Sequence, residues 1–170
     1  LIADTEAVVL VGGKGTRLRP LTISAPKPML PTAGLPFLTH LLSRIRAAGI
    51  RRVVLGTSFK AEVFEEYFGD GSDLDLDISY VVETEPLGTG GGIRNVLSAL
   101  KADTVLVFNG DVLGGTDLRE ILALHRAKDA DLTILVQNHK EYDVQALAEA
   151  ATRMLDTRGV TTDTETSQRL

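Results

Sequence analysis

The chain has 170 residues, a formal net charge of −5 and no cysteine. That length is sufficient for one domain with its own hydrophobic core, and the negative charge argues against a general nucleic-acid binder. Without cysteine there is no disulfide, no thiolate chemistry and no cysteine metal site, which mildly favours the cytosol. The longest apolar runs have about five residues, far short of the roughly 20 that span a bilayer, and the N-terminus lacks a signal-peptide pattern. We therefore expect a cytoplasmic protein with no nucleic-acid or membrane partner.

Strand and helix patterns alternate along the chain. Short apolar runs between turn residues predict strands at 7–11, 53–56, 78–82, 105–108 and 132–136. Apolar side chains at helical spacing predict helices at 37–45, 61–68, 91–100 and 117–127. This alternation is typical of crossover units, so we predict an α/β fold: a three-layer, Rossmann-like, mostly parallel sheet with helices on both faces. In such sheets ligands bind beyond the carboxyl ends of the strands.

A glycine-rich, basic loop follows the first predicted strand. Gly12, Gly13 and Gly15 let the backbone approach a ligand closely because they carry no Cβ. Arg17 and Lys27 add cationic donors for phosphate oxygens, and prolines on both sides of Lys27 fix its backbone. The spacing matches neither the dinucleotide fingerprint G-x-G-x-x-G nor the P-loop. We predict a phosphate-binding loop in which Lys27 is a placed functional group.

Two further segments follow predicted strands. The stretch 83–92 is rich in glycine and precedes a helix, so its bare N–H groups and the helix N-terminus can bind ribose or phosphate oxygens. Asp111 comes just after the strand at 105–108, at the edge where a metal–triphosphate would lie. Mg²⁺ takes one or two carboxylates and completes its shell with phosphate and water. A turn-capping role is the alternative for Asp111 alone, and the other two motifs favour the metal role.

Taken together, these motifs resemble the sugar-1-phosphate nucleotidyltransferases, whose signature is G-x-G-T-R-L-x-P-L-T with P-K-P downstream. The chain is most similar to the guanylyltransferases that make GDP-mannose or GDP-heptoses, in the segments 26–31, 85–91 and 108–111. The resemblance implies the nucleotide-diphospho-sugar transferase type of fold. It also implies a reaction in which a sugar-1-phosphate oxygen attacks the α-phosphorus of a nucleoside triphosphate and pyrophosphate leaves. The implied partners are these two substrates, and the resemblance leaves a homo-oligomer open.

The resemblance further implies roles for individual residues. Arg17 would grip the leaving phosphates and Lys27 would sit between the reacting phosphates, so these two are the catalytic candidates. Asp111 would hold Mg²⁺, which is the expected cofactor. The nucleotide-binding candidates belong to the two glycine-rich loops and to the ends of two strands: Leu10, Gly12, Gly13, Gly15, Thr16, Glu83, Gly88, Thr89 and Asn109.

The second loop bears on the choice of base. In the family this loop reads the nucleobase, and Glu83 or Glu85 occupies the start of the loop. A carboxylate only accepts hydrogen bonds, and guanine offers it two adjacent donors, N1–H and N2–H₂. Uracil and thymine offer one such donor, flanked by oxygens that a carboxylate would repel. The sequence therefore favours GTP, while UTP or dTTP with another sugar phosphate is the alternative.

The resemblance covers residues from about 7 to 136 and then stops. The family has a Glu-Lys-Pro-type loop facing the sugar phosphate and a second metal-binding aspartate, and neither is found in the sequence. We divide the chain into a nucleotidyltransferase region at 1–136, an atypical C-terminal helix at 137–158 and a disordered tail at 159–170. We expect this chain to carry the nucleotide half of the site and to be truncated relative to the family. A catalytically incomplete nucleotide-binding module, or a fragment of a longer enzyme, is therefore an alternative reading.

Overall fold

A computed structural model describes residues 2–127 and 129, and the backbone of three strands at 132–135, 153–156 and 167–169. The chain forms two compact units, Leu1–Thr116 and Asp117–Leu170. The first unit contains, in chain order, β1 (Thr5–Leu10), β2 (Pro31–Thr32), β3 (Leu35–Pro36), α1 (Phe37–Ala47), β4 (Arg52–Thr57), α2 (Ala61–Phe68), β5 (Asp77–Val82), α3 (Gly88–Val96) and β6 (Thr104–Asn109). Within these described parts, no helix is long and apolar enough to cross a membrane.

The main sheet of the first unit has the strand order β5-β4-β1-β6, and all three strand pairs are parallel. Ala7, Val8 and Val9 of the central strand β1 are fully buried. Because successive side chains of a strand point to opposite faces, this burial means that both faces of β1 are covered. The prediction of a mostly parallel sheet with helices is therefore confirmed, and β2 with β3 adds a two-stranded antiparallel hairpin that the sequence did not predict.

An ion-pair ladder ties three strands together where they begin. The Glu6 side chain on β1 is 4% exposed and pairs with Arg52 of β4, and its second oxygen accepts a hydrogen bond of 2.8 Å from the Lys101 amide. Arg52 Nε also donates to Asp77 Oδ2 of β5 at 3.2 Å. Buried charges are stable only when they are paired and hydrogen-bonded, so the ladder allows a carboxylate inside the amino end of the sheet.

Tyr80 joins β5 to the end of α2, and we expect its hydroxyl to affect stability at high pH. The hydroxyl donates to Gly69 O at 2.7 Å, and burial, with the charges of Glu65 and Asp70, raises the pKa of Tyr80 to about 12. Because this pKa lies above its ordinary value of 10, the folded chain keeps a proton that the unfolded chain loses. Stability is therefore lost as the pH rises from 10 to about 12.

For Tyr80→Phe we expect about 1 kcal/mol less stability at neutral pH, because the hydrogen bond is gone. We also expect a smaller decline between pH 10 and 12 than in the unaltered chain. Urea unfolding across this pH range measures both effects, and Tyr67→Phe, at a tyrosine that is 51% exposed, is the control. A decline of equal size in Tyr80→Phe and the unaltered chain would contradict the assignment.

The second unit contains α4 (Leu118–Ala127), β7 (Leu132–Leu135), β8 (Arg153–Asp156) and β9 (Ser167–Arg169). These strands pair in parallel in the order β7-β8-β9. β8 lies where the spacing predicts the C-terminal helix, and β9 lies where the tail was expected to be disordered. Backbone pairing on both sides of β8 favours the extended conformation there, and hydrophobic spacing does not report such pairing. The remainder of 137–170 lies outside the described residues, and the division after residue 136 stays a prediction.

Candidate functional site

Most of the predicted site residues lie at or just after the carboxyl ends of the parallel strands. Backbone hydrogen bonds continue the sheet one step beyond these ends: the Val11 amide donates to Gly56 O at 2.9 Å, the Glu83 amide to Thr57 O at 2.7 Å, and the Gly110 amide to Leu10 O at 2.8 Å. Each loop therefore leaves the sheet from a fixed starting point. This is the edge at which parallel α/β sheets bind ligands.

The glycine-rich loop lies close to Ser58, the residue directly after β4. The Gly13 amide donates to Ser58 Oγ at 3.3 Å, and a Cβ on Gly12 would lie 2.9 Å from the same oxygen. Gly13 also has a φ of 113°, which residues with a Cβ rarely adopt. Ser58 was not among the predicted residues, and its place directly after β4 is the signal that could have revealed it.

The loop then folds back on itself and fixes the position of Lys27. The buried Thr22 donates from Oγ1 to Gly15 O at 2.8 Å, and a Cβ on Gly15 would lie 3.2 Å from the Lys27 Cβ. Lys60, at the start of α2, donates to the carbonyls of Ile23 and Ser24 at 3.1 and 2.7 Å. Pro26 and Pro28 are buried on either side of Lys27, so its backbone has little freedom.

Lys27 and Asp111 form an ion pair across the site. Lys27 Nζ lies 2.6 Å from Asp111 Oδ2, although 84 residues separate them, and their side chains are 40% and 38% exposed. The sequence predicted both residues in one site but not their direct contact. The pair joins the glycine-rich loop to the segment after β6 and remains open to solvent.

Glu83 lies between the glycine-rich loop and α3. A Cβ on Gly92 would lie 2.6 Å from Glu83 Oε1, and a Cβ on Gly12 would lie 3.9 Å from Oε2. A Cβ at position 92 would require this carboxylate to move. Glu83 is half-buried, whereas Glu85 is exposed. The sequence left open whether Glu83 or Glu85 belongs to the site. The structure places Glu83 beside the glycine-rich loop.

The start of α3 is available to a ligand. The helix begins at Gly88 with a φ of 68°, three residues earlier than predicted, and no side chain caps it. Its first N–H groups have no partner inside the helix and can bind an oxygen ligand. Thr89 lies in this first turn and is half-buried.

The remaining predicted residues occupy two parts of the site. Leu10 and Asn109 are the last residues of β1 and β6 and are partners in the parallel register. Thr16 and Arg17 lie in an exposed 3₁₀ turn at Thr16–Leu18. Beside this turn is an open cleft of ≈ 340 Å³, which is lined by Lys14, Arg19, Thr22, Ile23 and Phe59. The cleft adds Lys14 and Arg19 to the cationic side chains around the loop.

Asp111 is the candidate ligand for a metal ion at this edge of the sheet. In the part of the chain that the structure describes, no cluster of three or more histidine, cysteine, aspartate or glutamate side chains could bind a metal. Asp111 supplies hard carboxylate oxygens at the exposed edge of the site. Mg²⁺ is often held by one or two carboxylates together with substrate phosphates and water, so the residues present fit a metal that is shared with a phosphate ligand.

Known proteins are similar to this chain over most of its length. A model of the nucleotidyl transferase family matches residues 6–146. The chain belongs to the nucleotidyl transferase family. The family resemblance inferred from the three motifs is therefore confirmed. The roles of the individual site residues remain predictions.

Relatives within the family are similar over most of this chain. It is 70% identical over 131 residues to a mannose-1-phosphate guanylyltransferase from Mycobacterium tuberculosis. The matched segment covers 77% of this chain and 36% of that protein. It is 40% identical over 138 residues to a D-glycero-alpha-D-manno-heptose 1-phosphate guanylyltransferase from Aneurinibacillus thermoaerophilus. The matched segment covers 81% of this chain and 60% of that protein.

A solved structure supports the same family fold. HddC from Yersinia pseudotuberculosis, complexed with GMP-PN, has a TM-score of 0.64 and 32% sequence identity, over 76% of this chain and 57% of that chain. The chain therefore spans between 36% and 60% of the length of these three relatives.

Proposed function

We propose that this chain binds GTP and Mg²⁺ in the nucleotide half of a sugar-1-phosphate guanylyltransferase site. The proposed reaction joins GTP to mannose-1-phosphate or to a manno-heptose phosphate and releases pyrophosphate, and the proposed location is the cytoplasm. The observation that carries the proposal is the contact between Lys27 and Asp111 at 2.6 Å beside the glycine-rich loop. It brings a cation that would bind phosphate and a carboxylate that would bind the metal to one edge of the sheet.

The phosphate groups would lie along the glycine-rich loop. The bare backbone at Gly12 and Gly13 allows a phosphate oxygen to approach the loop closely, and the exposed Arg17 lies a few residues further along. Lys27 would contact the two phosphate groups that react, the α-phosphate of the nucleotide and the phosphate of the sugar. Transfer from the α-phosphorus requires little covalent chemistry from the protein, because positioning and charge neutralisation supply most of the rate.

Asp111 would hold Mg²⁺ together with the phosphates of the bound nucleotide. When bound, the metal supplies positive charge against the triphosphate oxygens. Lys27, which neutralises Asp111 in the free chain, would then turn its ammonium group towards the phosphates. Asn109 and Leu10, at the ends of neighbouring strands, would form the floor beneath the nucleotide.

The base and ribose would lie between the start of α3 and Glu83. The Glu83 carboxylate is half-buried beside Gly92 and Gly12, and it can accept hydrogen bonds from guanine N1–H and N2–H₂ together. Gly88 and Thr89 at the uncapped start of α3 offer N–H groups to the sugar and base. This arrangement supports guanine over uracil or thymine.

The experiment that tests the proposal compares nucleotides and acceptors on the whole chain. Binding of GTP, UTP and dTTP is measured by calorimetry with Mg²⁺, and pyrophosphate release is measured with and without mannose-1-phosphate. The proposal expects GTP to bind most tightly and pyrophosphate to be released only with the sugar phosphate. GTP binding without turnover would favour the incomplete module, and no binding of any nucleotide would overturn the site.

Replacing Glu83 with glutamine tests the assignment of the base. We expect Glu83→Gln to weaken GTP binding by about 10- to 100-fold, because hydrogen bonds to a charged group contribute about 1.5–3 kcal/mol. UTP binding should change far less, since uracil has only one matching donor. Calorimetric titration with each nucleotide measures the change, and Glu85→Gln, at the exposed neighbour, should behave like the unaltered chain. An equal loss for GTP and UTP would assign Glu83 a structural role instead.

A further inference from the structure

The segment that carries Asp111 is fixed at its first end by the sheet. The Gly110 amide donates to Leu10 O at 2.8 Å, and the Val112 amide donates to Asn109 O at 3.2 Å. A Cβ on Gly110 would lie 2.5 Å from Val11 Cγ1, so the backbone packs directly against the end of β1. These contacts stop at Val112, one residue after Asp111.

The second end of this segment is glycine-rich and exposed. Gly114 and Gly115 are exposed, and a Cβ on either would meet nothing within 4 Å. Glycine has the largest conformational freedom to lose on ordering. Without another contact, the residues after Val112 would adopt several positions of similar energy, and the anchor on the far side of Asp111 would be the single hydrogen bond of the Val112 amide.

Arg44 supplies that contact from α1. Its guanidinium donates from Nη1 to Gly114 O and from Nη2 to Thr116 O, the latter at 2.8 Å, across 70 and 72 residues. Leu42 and Ile45, two residues before and one residue after Arg44 on α1, are fully buried, so this part of the helix is anchored in the core. The two terminal nitrogens of the planar guanidinium group can therefore bind two carbonyls of the same segment at once.

We propose that Arg44 is a positioning residue that holds the Asp111 segment in the geometry in which Mg²⁺ and nucleotide bind together. The inference rests on the proposed function of Asp111 and adds a residue that touches neither metal nor nucleotide. Residues that orient a metal ligand from behind typically change metal affinity or activity by about 10- to 100-fold when they are replaced. The effect of losing Arg44 should therefore be confined to binding that depends on the metal.

The test uses Arg44→Met, which keeps the aliphatic stem and removes the donors. GTP binding to the whole chain is measured by calorimetry with Mg²⁺ and again with EDTA. We expect Arg44→Met to bind Mg²⁺-GTP about 10- to 100-fold more weakly, with an unchanged affinity for GTP in EDTA. Arg46→Met is the matched control, because Arg46 lies on the same helix and pairs with Asp75 at the surface.

A second readout follows the segment itself. Hydrogen exchange of amides 112–116 should be faster in Arg44→Met than in the unaltered chain and unchanged in Arg46→Met. Unchanged exchange, or an equal loss of GTP affinity with Mg²⁺ and with EDTA, would overturn the inference. If Arg44→Met does not fold, Arg44→Gln, which keeps one amide group as a donor, should show the same effects at a smaller size. A failure of the unaltered chain to bind nucleotide would refute the proposed function. Hydrogen exchange tests separately whether Arg44 holds the segment that carries Asp111.

Discussion

Replacing Asp111 with alanine is expected to abolish both pyrophosphate release and the gain in GTP affinity that Mg²⁺ provides. The carboxylate would be the protein's ligand to the metal, and removing one preorganised charge from such a site costs about 100- to 1,000-fold in rate. The fold should be unaffected. The Lys27–Asp111 pair is 40% and 38% exposed, and exposed pairs contribute about 0–1 kcal/mol.

Three measurements define this result: pyrophosphate release, GTP titration with and without Mg²⁺, and the thermal midpoint. Asp103→Ala is the matched control, because Asp103 is exposed and precedes the same strand, β6, at its opposite end. Asp103→Ala should behave like the unaltered chain in all three measurements. An Asp111→Ala chain that keeps its Mg²⁺-dependent affinity would show that the metal lies elsewhere.

Among the substitutions proposed for this chain, Arg52→Met is expected to lower the free energy of unfolding the most. It would leave Glu6, whose side chain is 4% exposed, as a buried carboxylate without its cation, and breaking such a pair costs about 3–5 kcal/mol. Because Arg52 is itself 32% exposed, we expect a loss at the lower end, about 3 kcal/mol. The amide of Lys101 would remain as the one partner that the structure gives Glu6.

The free energy of unfolding in urea measures this change. Arg51→Met is the control, because Arg51 is 52% exposed and pairs with Asp75 at the surface at 3.3 Å, so its loss should be below about 1 kcal/mol. Adding Glu6→Gln to Arg52→Met should recover part of the stability, since the buried charge is then removed as well. Equal losses for Arg51→Met and Arg52→Met would contradict the buried-charge account.

The parallel sheet and most of its loops could be predicted from local patterns. Continuous apolar runs such as that before Gly12 are typical of strands buried on both faces, and the residues after them therefore lie at one edge. The start of α3 at Gly88 was missed, because a run of glycines has low intrinsic helix propensity. In the folded chain this start leaves the N–H groups of Gly88 and Thr89 without a side-chain cap.

Contacts between distant parts of the chain could not be predicted. Ser58 meets Gly13 across 45 residues, and Arg44 meets Thr116 across 72. No local sequence pattern around Ser58 or Arg44 predicts these partners. The strand β8 was mispredicted as helix for a related reason, since its conformation is favoured by pairing with β7 and β9 rather than by its own spacing of apolar residues.

The pairing of Lys27 with Asp111 has a consequence for how an anion first meets the chain. A carboxylate already bound to an ammonium group does little to repel an approaching polyanion, even though the whole chain carries a net charge of −5. The local field at the mouth of the loop is then set by the exposed Lys14, Arg17 and Arg19. Attraction of this kind accelerates encounter and weakens as salt is added. Because of the Lys27–Asp111 pair, we expect the rate at which an anion associates with the chain to depend less on the net charge of the whole protein.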